Sequence, residues 1–310
     1  MTLSLDIADL ERLYAVGEAA PENIVREVYA RIRARGVRPD WITLAEEDAA
    51  IAKARTAPRG RLYGIPFAVK DNIDVGGLPT TCACPEFAYV AERSATMVEL
   101  LEREGAILIG KTNLDQFATG LNGTRSPYGI SASTFNRDYI SGGSSSGSAV
   151  AVAAGLVSFA LGTDTAGSGR IPAAFNNIVG LKPTKGLISM RGVVPACRTQ
   201  DAVSIFALTV ADAAKVAMTA IAFDKEDPFA RLGAPSFAIE AAPQPLRVGV
   251  PNGPIPFFGD KDYESLYHAA IARLAARGAR IVPVDYMPFA KAAAMLYGGP
   301  WVAERLAAIS

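Results

Sequence analysis

A single histidine, His268, serves the whole 310-residue chain. It lies in DYESLYHAAIARLAARG, an amphipathic helical pattern far along the chain from every glycine-rich stretch, so a surface or helix-packing position is expected for it. That disfavours a Ser–His–Asp triad and a histidine-based zinc centre. Cysteine is also scarce. Cys82, Cys84 and Cys197 cannot form a disulfide framework, and Cys82-x-Cys84 lacks the C-x-x-C spacing of a redox or metal pair. Buried or incidental thiols in a reducing compartment are expected. Net charge is absent, with 31 Lys+Arg against 31 Asp+Glu, so no overall field recruits nucleic acid or an anionic membrane. The longest apolar run, Ala149 to Leu161, is too short to span a bilayer and contains Gly155. The N-terminus, MTLSLDIADLERLY, has acidic residues and no basic region, unlike a secretory signal. These absences together predict a cytoplasmic protein with no metal, nucleic-acid or membrane partner.

What is present is a chain long enough for a sizeable core, half of it hydrophobic. AAPENIVREVYARIRARG predicts a helix between Pro21 and Gly36. A short strand is expected around Trp41-Ile42-Thr43, then a helix in LAEEDAAIAKART. Gly64 to Val69 is a buried-strand pattern that delivers Lys70 at its C-terminal end, where sites assemble in parallel α/β sheets. A helix over Ser94–Glu104 and a strand over Ala106–Gly110 continue the alternation, which indicates an α/β sheet. Thr112 to Gln116 is expected to start a helix, and Thr119 to Gly123 to form a polar glycine turn. Thr209 opens a helix running to Ala222 with a variant capping box, and Asp224 to Pro245 is expected to be a long surface loop. Leu246 to Pro251, the His268 helix and Ile281 to Val284 predict a further strand–helix–strand unit.

The most informative stretch runs from Tyr139 to Thr184. It combines a Gly/Ser tract (Ser141–Ser148), the apolar run read as a strand, and a second glycine turn, TDTAGSG, followed by Arg170-Ile171-Pro172. A flexible linker would not continue into so apolar a segment. A P-loop is disfavoured, because G-x-x-x-x-G-K-[ST] is absent and neither loop contains lysine. Converging backbone N–H groups at such a turn stabilise an oxyanion or a phosphate. Ser168 sits inside this turn, where its hydroxyl can attack while its N–H helps to cradle the negative charge. With histidine excluded, lysine is the natural candidate for its base.

This stretch resembles the signature of the amidase-signature hydrolases, whose catalytic set is Ser–Ser–Lys. The resemblance implies a mixed central β-sheet covered by helices on both faces. It matches Ser168 to the nucleophile, Ser144 to the bridging serine after a cis peptide, and Lys70 in IPFAVKDNID to the base. It further implies oxyanion donors at Thr165, Ala166, Gly167 and Ser168, with Gly120 and Asn122 lining the pocket, and neither metal nor organic cofactor. Residues 1–60 are expected to form a helical segment packed on an α/β core over 61–310, together one domain.

Ala166-Gly167-Ser168, Asn176-Asn177 and YGGPWVAER are similar in particular to the allophanate hydrolases. By that resemblance Tyr297 and Arg305 hold the carboxylate of allophanate, whose terminal amide is cleaved to ammonia, and a homodimer is expected. The chain looks like the N-terminal portion of a longer protein, without the further C-terminal domain of such enzymes. Two alternatives stand beside this expectation. One is another member of the family, such as a general amidase or the amidotransferase subunit that feeds ammonia to mischarged tRNA; the other is a non-catalytic module.

Overall fold

The computed structural model describes residues 3–232 and 245–308. The chain divides into two compact units, Met1–Phe237 with Glu304–Ser310, and Ala238–Ala303.

The first unit is built on a six-stranded mixed sheet. Its strands are β1 (Trp41–Leu44), β2 (Pro66–Lys70), β5 (Ile107–Thr112), β6 (Phe159–Asp164), β7 (Val179–Leu181) and β8 (Ala202–Ala207). They lie in the order β1-β5-β2-β6-β8-β7. The central trio β5, β2 and β6 is parallel, while β1, β8 and β7 pair antiparallel to their neighbours. A small ribbon of β3 (Pro79–Thr80) and β4 (Tyr89–Val90) stands apart from this sheet. Every residue of β2, β5, β6 and β8 is buried, as a sheet covered on both faces requires.

The covering helices are α1 (Ile7–Ala15), α2 (Pro21–Arg35), α3 (Glu47–Arg55), α4 (Thr96–Arg103), α5 (Ser146–Ala153), α6 (Ile171–Phe175) and α7 (Val210–Ala220). Leu5, Leu10, Ile24, Val25 and Val28, from α1, α2 and the segment before them, join Phe67, Phe159 and Phe206 of the sheet in one apolar core. Helix α2 starts at Pro21 and ends at Gly36, and α7 is capped by Thr209, whose hydroxyl accepts from Asp212 N–H, as the sequence predicts. Phe67 stacks on Phe159 with ring centroids 5.2 Å apart.

Three local expectations need correction. The apolar run Ala149–Leu161 is a helix end, a turn at Gly155 and a strand, rather than one strand. Helix α5 is buried from Ser146 to Val152 and packs against β2, β5, β6 and β8, so it has no polar face to betray its period. Thr112 to Gln116 does not start an α-helix. Thr112 ends β5, and the Asn113 side chain accepts the Leu114 N–H, leaving only a 3-10 turn at Gln116–Ala118. The helix opened by Thr209 stops at Ala220 rather than Ala222. Of the expected loop from Asp224 to Pro245, residues 233–244 lie outside the described residues.

The second unit holds the predicted strand–helix–strand: β9 (Arg247–Pro251), α8 (Lys261–Ala276) and β10 (Arg280–Val284), with β9 and β10 parallel. Helix α9 (Met287–Gly298) follows, then α10 (Trp301–Ala307), whose residues from Glu304 onward belong to the first unit. His268 is exposed on α8, its ring against Phe257 and Tyr267. No helix among the described residues is long and apolar enough to cross a membrane.

Candidate active site

Lys70 ends β2 and Thr163 lies near the end of β6, so two parallel strands bring both to the same edge of the sheet. Ser144 precedes Ser145, the N-cap of α5, and follows a cis Gly143–Ser144 peptide. Lys70 Nζ donates to Ser144 Oγ at 2.8 Å and to Thr163 Oγ1 at 2.8 Å. The ammonium is wholly buried, and burial lowers its pKa to about 7, the nearby charges of Asp115, Asp201 and Asp164 opposing the shift only in part. A substantial fraction of Lys70 is therefore neutral near pH 7, and a neutral amine accepts a proton from a hydroxyl.

The Gly/Ser tract is tied down throughout. Ser145 Oγ donates to the Thr163 carbonyl at 3.2 Å and Ser148 Oγ to the Leu161 carbonyl at 3.0 Å. The Asp115 N–H donates to the Ser144 carbonyl at 3.0 Å. Asn176, on the residue that closes α6, donates to the carbonyls of Ser141 and Pro172, both at 2.9 Å. A linker has no such buried bonding.

Ser168 is buried to 3% exposure in the turn between β6 and α6. Its hydroxyl makes no hydrogen bond among the described residues. Asp164, at the end of β6, organises the turn. One carboxylate oxygen accepts the Gly167 N–H at 2.8 Å, the other the Gly169 N–H at 3.0 Å, and Arg170 forks onto both oxygens at 3.0 and 2.9 Å. Burial alone would raise the pKa of Asp164; the Arg170 fork and the two N–H groups outweigh it and hold the carboxyl below its usual range. Gly167 has φ +136°, and a Cβ there would meet Ile171 at 2.8 Å. Because its N–H is committed to Asp164, Gly167 is not an available oxyanion donor, which corrects the expectation for that residue. The N–H groups of Thr165, Ala166 and Ser168 donate to nothing among the described residues.

The side chain of Thr165 is fixed by a short hydrogen bond to Asp201, whose carboxylate also accepts the N–H groups of Ala196 and Cys197 at 2.8 and 3.0 Å. Asn72 donates to the Val194 carbonyl at 3.0 Å and to Thr163 Oγ1 at 3.4 Å. Behind the strand ends, Lys111 and Asp71 form a fully buried ion pair at 3.1 Å, completed by Thr80, Thr81 and the Pro79 carbonyl. None of these supporting groups figured among the sequence candidates. Only Asp164 had a local signal, a carboxylate followed three and five residues later by glycine N–H groups.

The loop candidates separate. Gly120 is buried because the chain crosses the Asp115 carboxylate there; a Cβ would come within 2.5 Å of its oxygen. Asn122 is exposed on the same loop. Arg305 Nη1 donates to Thr119 Oγ1 at 3.2 Å, bringing the guanidinium to that loop. Asp115 holds the loop from within through the N–H groups of Gly123 and Arg125 at 3.0 and 2.8 Å. Tyr297 lies on α9 in the second unit and is exposed.

The model of the amidase family matches residues 24–310. The chain belongs to the amidase family. It is 50% identical over 248 residues to urea amidolyase of Saccharomyces cerevisiae, covering 80% of this chain and 14% of that protein. The structure of Kluyveromyces lactis allophanate hydrolase superposes with a TM-score of 0.91 at 44% identity, covering 99% of this chain and 51% of that one. A more distant relative, a glutamyl-tRNA(Gln) amidotransferase subunit from Chlorobium luteolum, is 39% identical over 84% of this chain and 56% of its own length. The chain thus spans about a seventh of the yeast amidolyase and about half of the hydrolase structure. The mixed sheet with its covering helices is the fold of the family.

Proposed function

We propose that this chain is the amide-hydrolysing part of an allophanate hydrolase, acting through Ser168, Ser144 and Lys70. The observation that carries the mechanism is Lys70: a buried amine with a pKa lowered to about 7, 2.8 Å from Ser144 Oγ. In the reaction, neutral Lys70 takes the Ser144 proton while Ser144 takes that of Ser168. Ser168 Oγ attacks the carbonyl of the terminal amide of allophanate, and the oxyanion is met by the N–H groups of Thr165, Ala166 and Ser168. One such donor is worth about 3 kcal/mol in acyl transfer. The protons return along the relay to the departing nitrogen, ammonia leaves, and water releases the carboxylated product from Ser168.

Arg305 binds the substrate's carboxylate, the role the family resemblance also implies for Tyr297, and Gly120 and Asn122 border the pocket. A guanidinium suits this task because its planar fork matches a carboxylate. The likeness to urea amidolyase and allophanate hydrolase supports this choice of substrate and a role in urea breakdown. Free thiols at Cys82, Cys84 and Cys197 agree with a cytoplasmic setting, and we expect the working form to be a homodimer. The amidotransferase subunit is the second reading, supported by the 39% identity.

Ammonia release from allophanate, biuret and a simple aliphatic amide, by the chain and by Ser168→Ala, tests the assignment. Allophanate is expected to be preferred and its turnover lost in the variant. Preference for amides without a carboxylate would favour another member of the family, such as a general amidase.

A further inference from the structure

The segment Ala196–Asp201 carries two carboxylate attachments that the catalytic mechanism does not use. At one end Asp201 folds back on the segment, accepting the N–H groups of Ala196 and Cys197, and binds the hydroxyl of Thr165 in the oxyanion turn. The segment is closed into a tight turn, since the N–H groups of Gln200 and Asp201 both donate to the Cys197 carbonyl at 2.9 Å. Lys185 fastens it from outside through the carbonyls of Arg198 and Asp201 at 2.7 and 3.2 Å. At its apex, Thr199 is gripped by Glu304. One Glu304 oxygen accepts the Thr199 N–H at 2.6 Å and the other accepts Thr199 Oγ1 at 2.7 Å. Burial opposes ionisation of Glu304, but the two Thr199 bonds outweigh it and hold the carboxyl below its usual range, so the grip is ionised at neutral pH.

Glu304 and Arg305 are adjacent on α10, and side chains one residue apart on a helix point about 100° apart. Glu304 faces the Thr199 turn while Arg305 reaches the Thr119 loop. A two-oxygen grip on a backbone N–H and a hydroxyl of one residue fixes the rotation of the helix as well as its distance. It therefore fixes the direction in which Arg305 leaves the helix. A single continuous chain of contacts results: Thr165, Asp201, the Cys197–Asp201 turn, Thr199, Glu304, Arg305.

We propose that Glu304 is a positioning residue for substrate selection, locking Arg305 at a set orientation to the oxyanion turn so that a carboxylate and the amide carbonyl beside it are held together. This rests on the proposed role of Arg305 as the carboxylate-binding group. In this role Glu304 acts through Thr199 and through its neighbour on the helix.

Malonamate provides a test that needs no turnover. It replaces the central NH of allophanate by CH2, keeps the carboxylate and the terminal amide in the same relation, and has malonamide as its neutral counterpart. Binding of both would be measured by calorimetry to the full chain carrying Ser168→Ala, alone and combined with Glu304→Ala, Glu304→Gln or Arg305→Ala. The expected result is a preference for malonamate that falls about tenfold or more with Glu304→Ala and with Arg305→Ala, as loss of a charge-assisted contact implies. Malonamide binding should stay within about twofold, and Glu304→Gln, which keeps one acceptor oxygen, should recover part of the preference. Loss of the preference with Arg305→Ala but not with Glu304→Ala would overturn the positioning role. So would an equal loss for both ligands, which marks general damage, or no preference in the parent. Retention of this pattern in a chain that does not release ammonia from allophanate would sink the substrate assignment while leaving the positioning role standing.

Discussion

Two lysines show how differently the two units of this chain treat the same side chain. Lys70, in the first unit, is wholly buried, and desolvation lowers its pKa to about 7. Lys261, at the start of α8 in the second unit, is paired with Glu264 at 2.8 Å, and that hydrogen bond raises its pKa. The contrast extends to the frameworks. In the first unit four strands have every residue buried. In the second, neither β9, β10 nor α8 has a buried residue, and α9 has only Leu296. A lysine that is to be neutral near pH 7, as the proposed base is, requires a thick, water-excluding layer, and among the described residues the first unit supplies it.

Removing the proposed base is expected to have the largest effect. Lys70→Met keeps the volume of the buried stem but deletes the proton acceptor, and should lower kcat by about 10³–10⁴-fold. Leu266→Ala on the exposed face of α8 should leave kcat unchanged, and a loss there comparable to that of Lys70→Met would break the comparison. Next comes the core. Phe67 is fully buried and stacked on Phe159, so Phe67→Ala should cost about 3–5 kcal/mol in denaturant unfolding. Leu266, 62% exposed, should cost no more than about 0.5 kcal/mol when truncated.

A third expectation concerns pH. Lys70 is protonated below its pKa and neutral above it, so kcat/KM for an uncharged amide should rise about tenfold per pH unit on the acidic side and level off above about pH 7. A flat profile between pH 5 and 8 would remove Lys70 as the base.

The same contrast explains what could be read from the sequence. Ser144 and Ser168 stand out for their glycine surroundings, while Lys70, at the end of a buried-strand pattern, is singled out only by the family resemblance. The strand before Lys70, the caps at Pro21 and Thr209, and the strand–helix–strand after Leu246 were legible from period and punctuation. The boundary between helix and strand in Ala149–Leu161 was not, because both elements are buried on all sides and the apolar pattern has no period. Nor were the groups that hold the site in shape. Asn72 meets Val194, Thr165 meets Asp201 and Lys111 meets Asp71 across long stretches of chain, and a buried polar contact of this kind leaves no mark on either partner's neighbours. Gly167 was misassigned for the same reason: the glycine was visible, but the carboxylate that occupies its N–H follows from the fold.

The smallest expected effect separates the units most finely. Each contains a helix whose first turn is capped by a side chain in the same way: Thr209 accepts from Asp212 N–H at 3.1 Å at α7, and Asp260 accepts from Tyr263 N–H at 2.8 Å at α8. Replacing either by alanine removes one bond to an otherwise unsatisfied N–H and should cost about 1 kcal/mol. Helix α7 packs on β8 and β7 of the buried sheet, so its cap contributes to an element that opens only with the core. Thr209→Ala should therefore speed amide hydrogen exchange about fivefold in α7 and in β6 and β8 alike. Helix α8 has no buried residue and is expected to open locally, at a free energy below that of the core. Asp260→Ala should accelerate exchange in α8 by a similar factor and leave β6 unchanged. Equal acceleration of β6 by both variants would mean that the thinly covered unit and the buried sheet open together, and the mechanical distinction between them would disappear even if their electrostatic distinction survived.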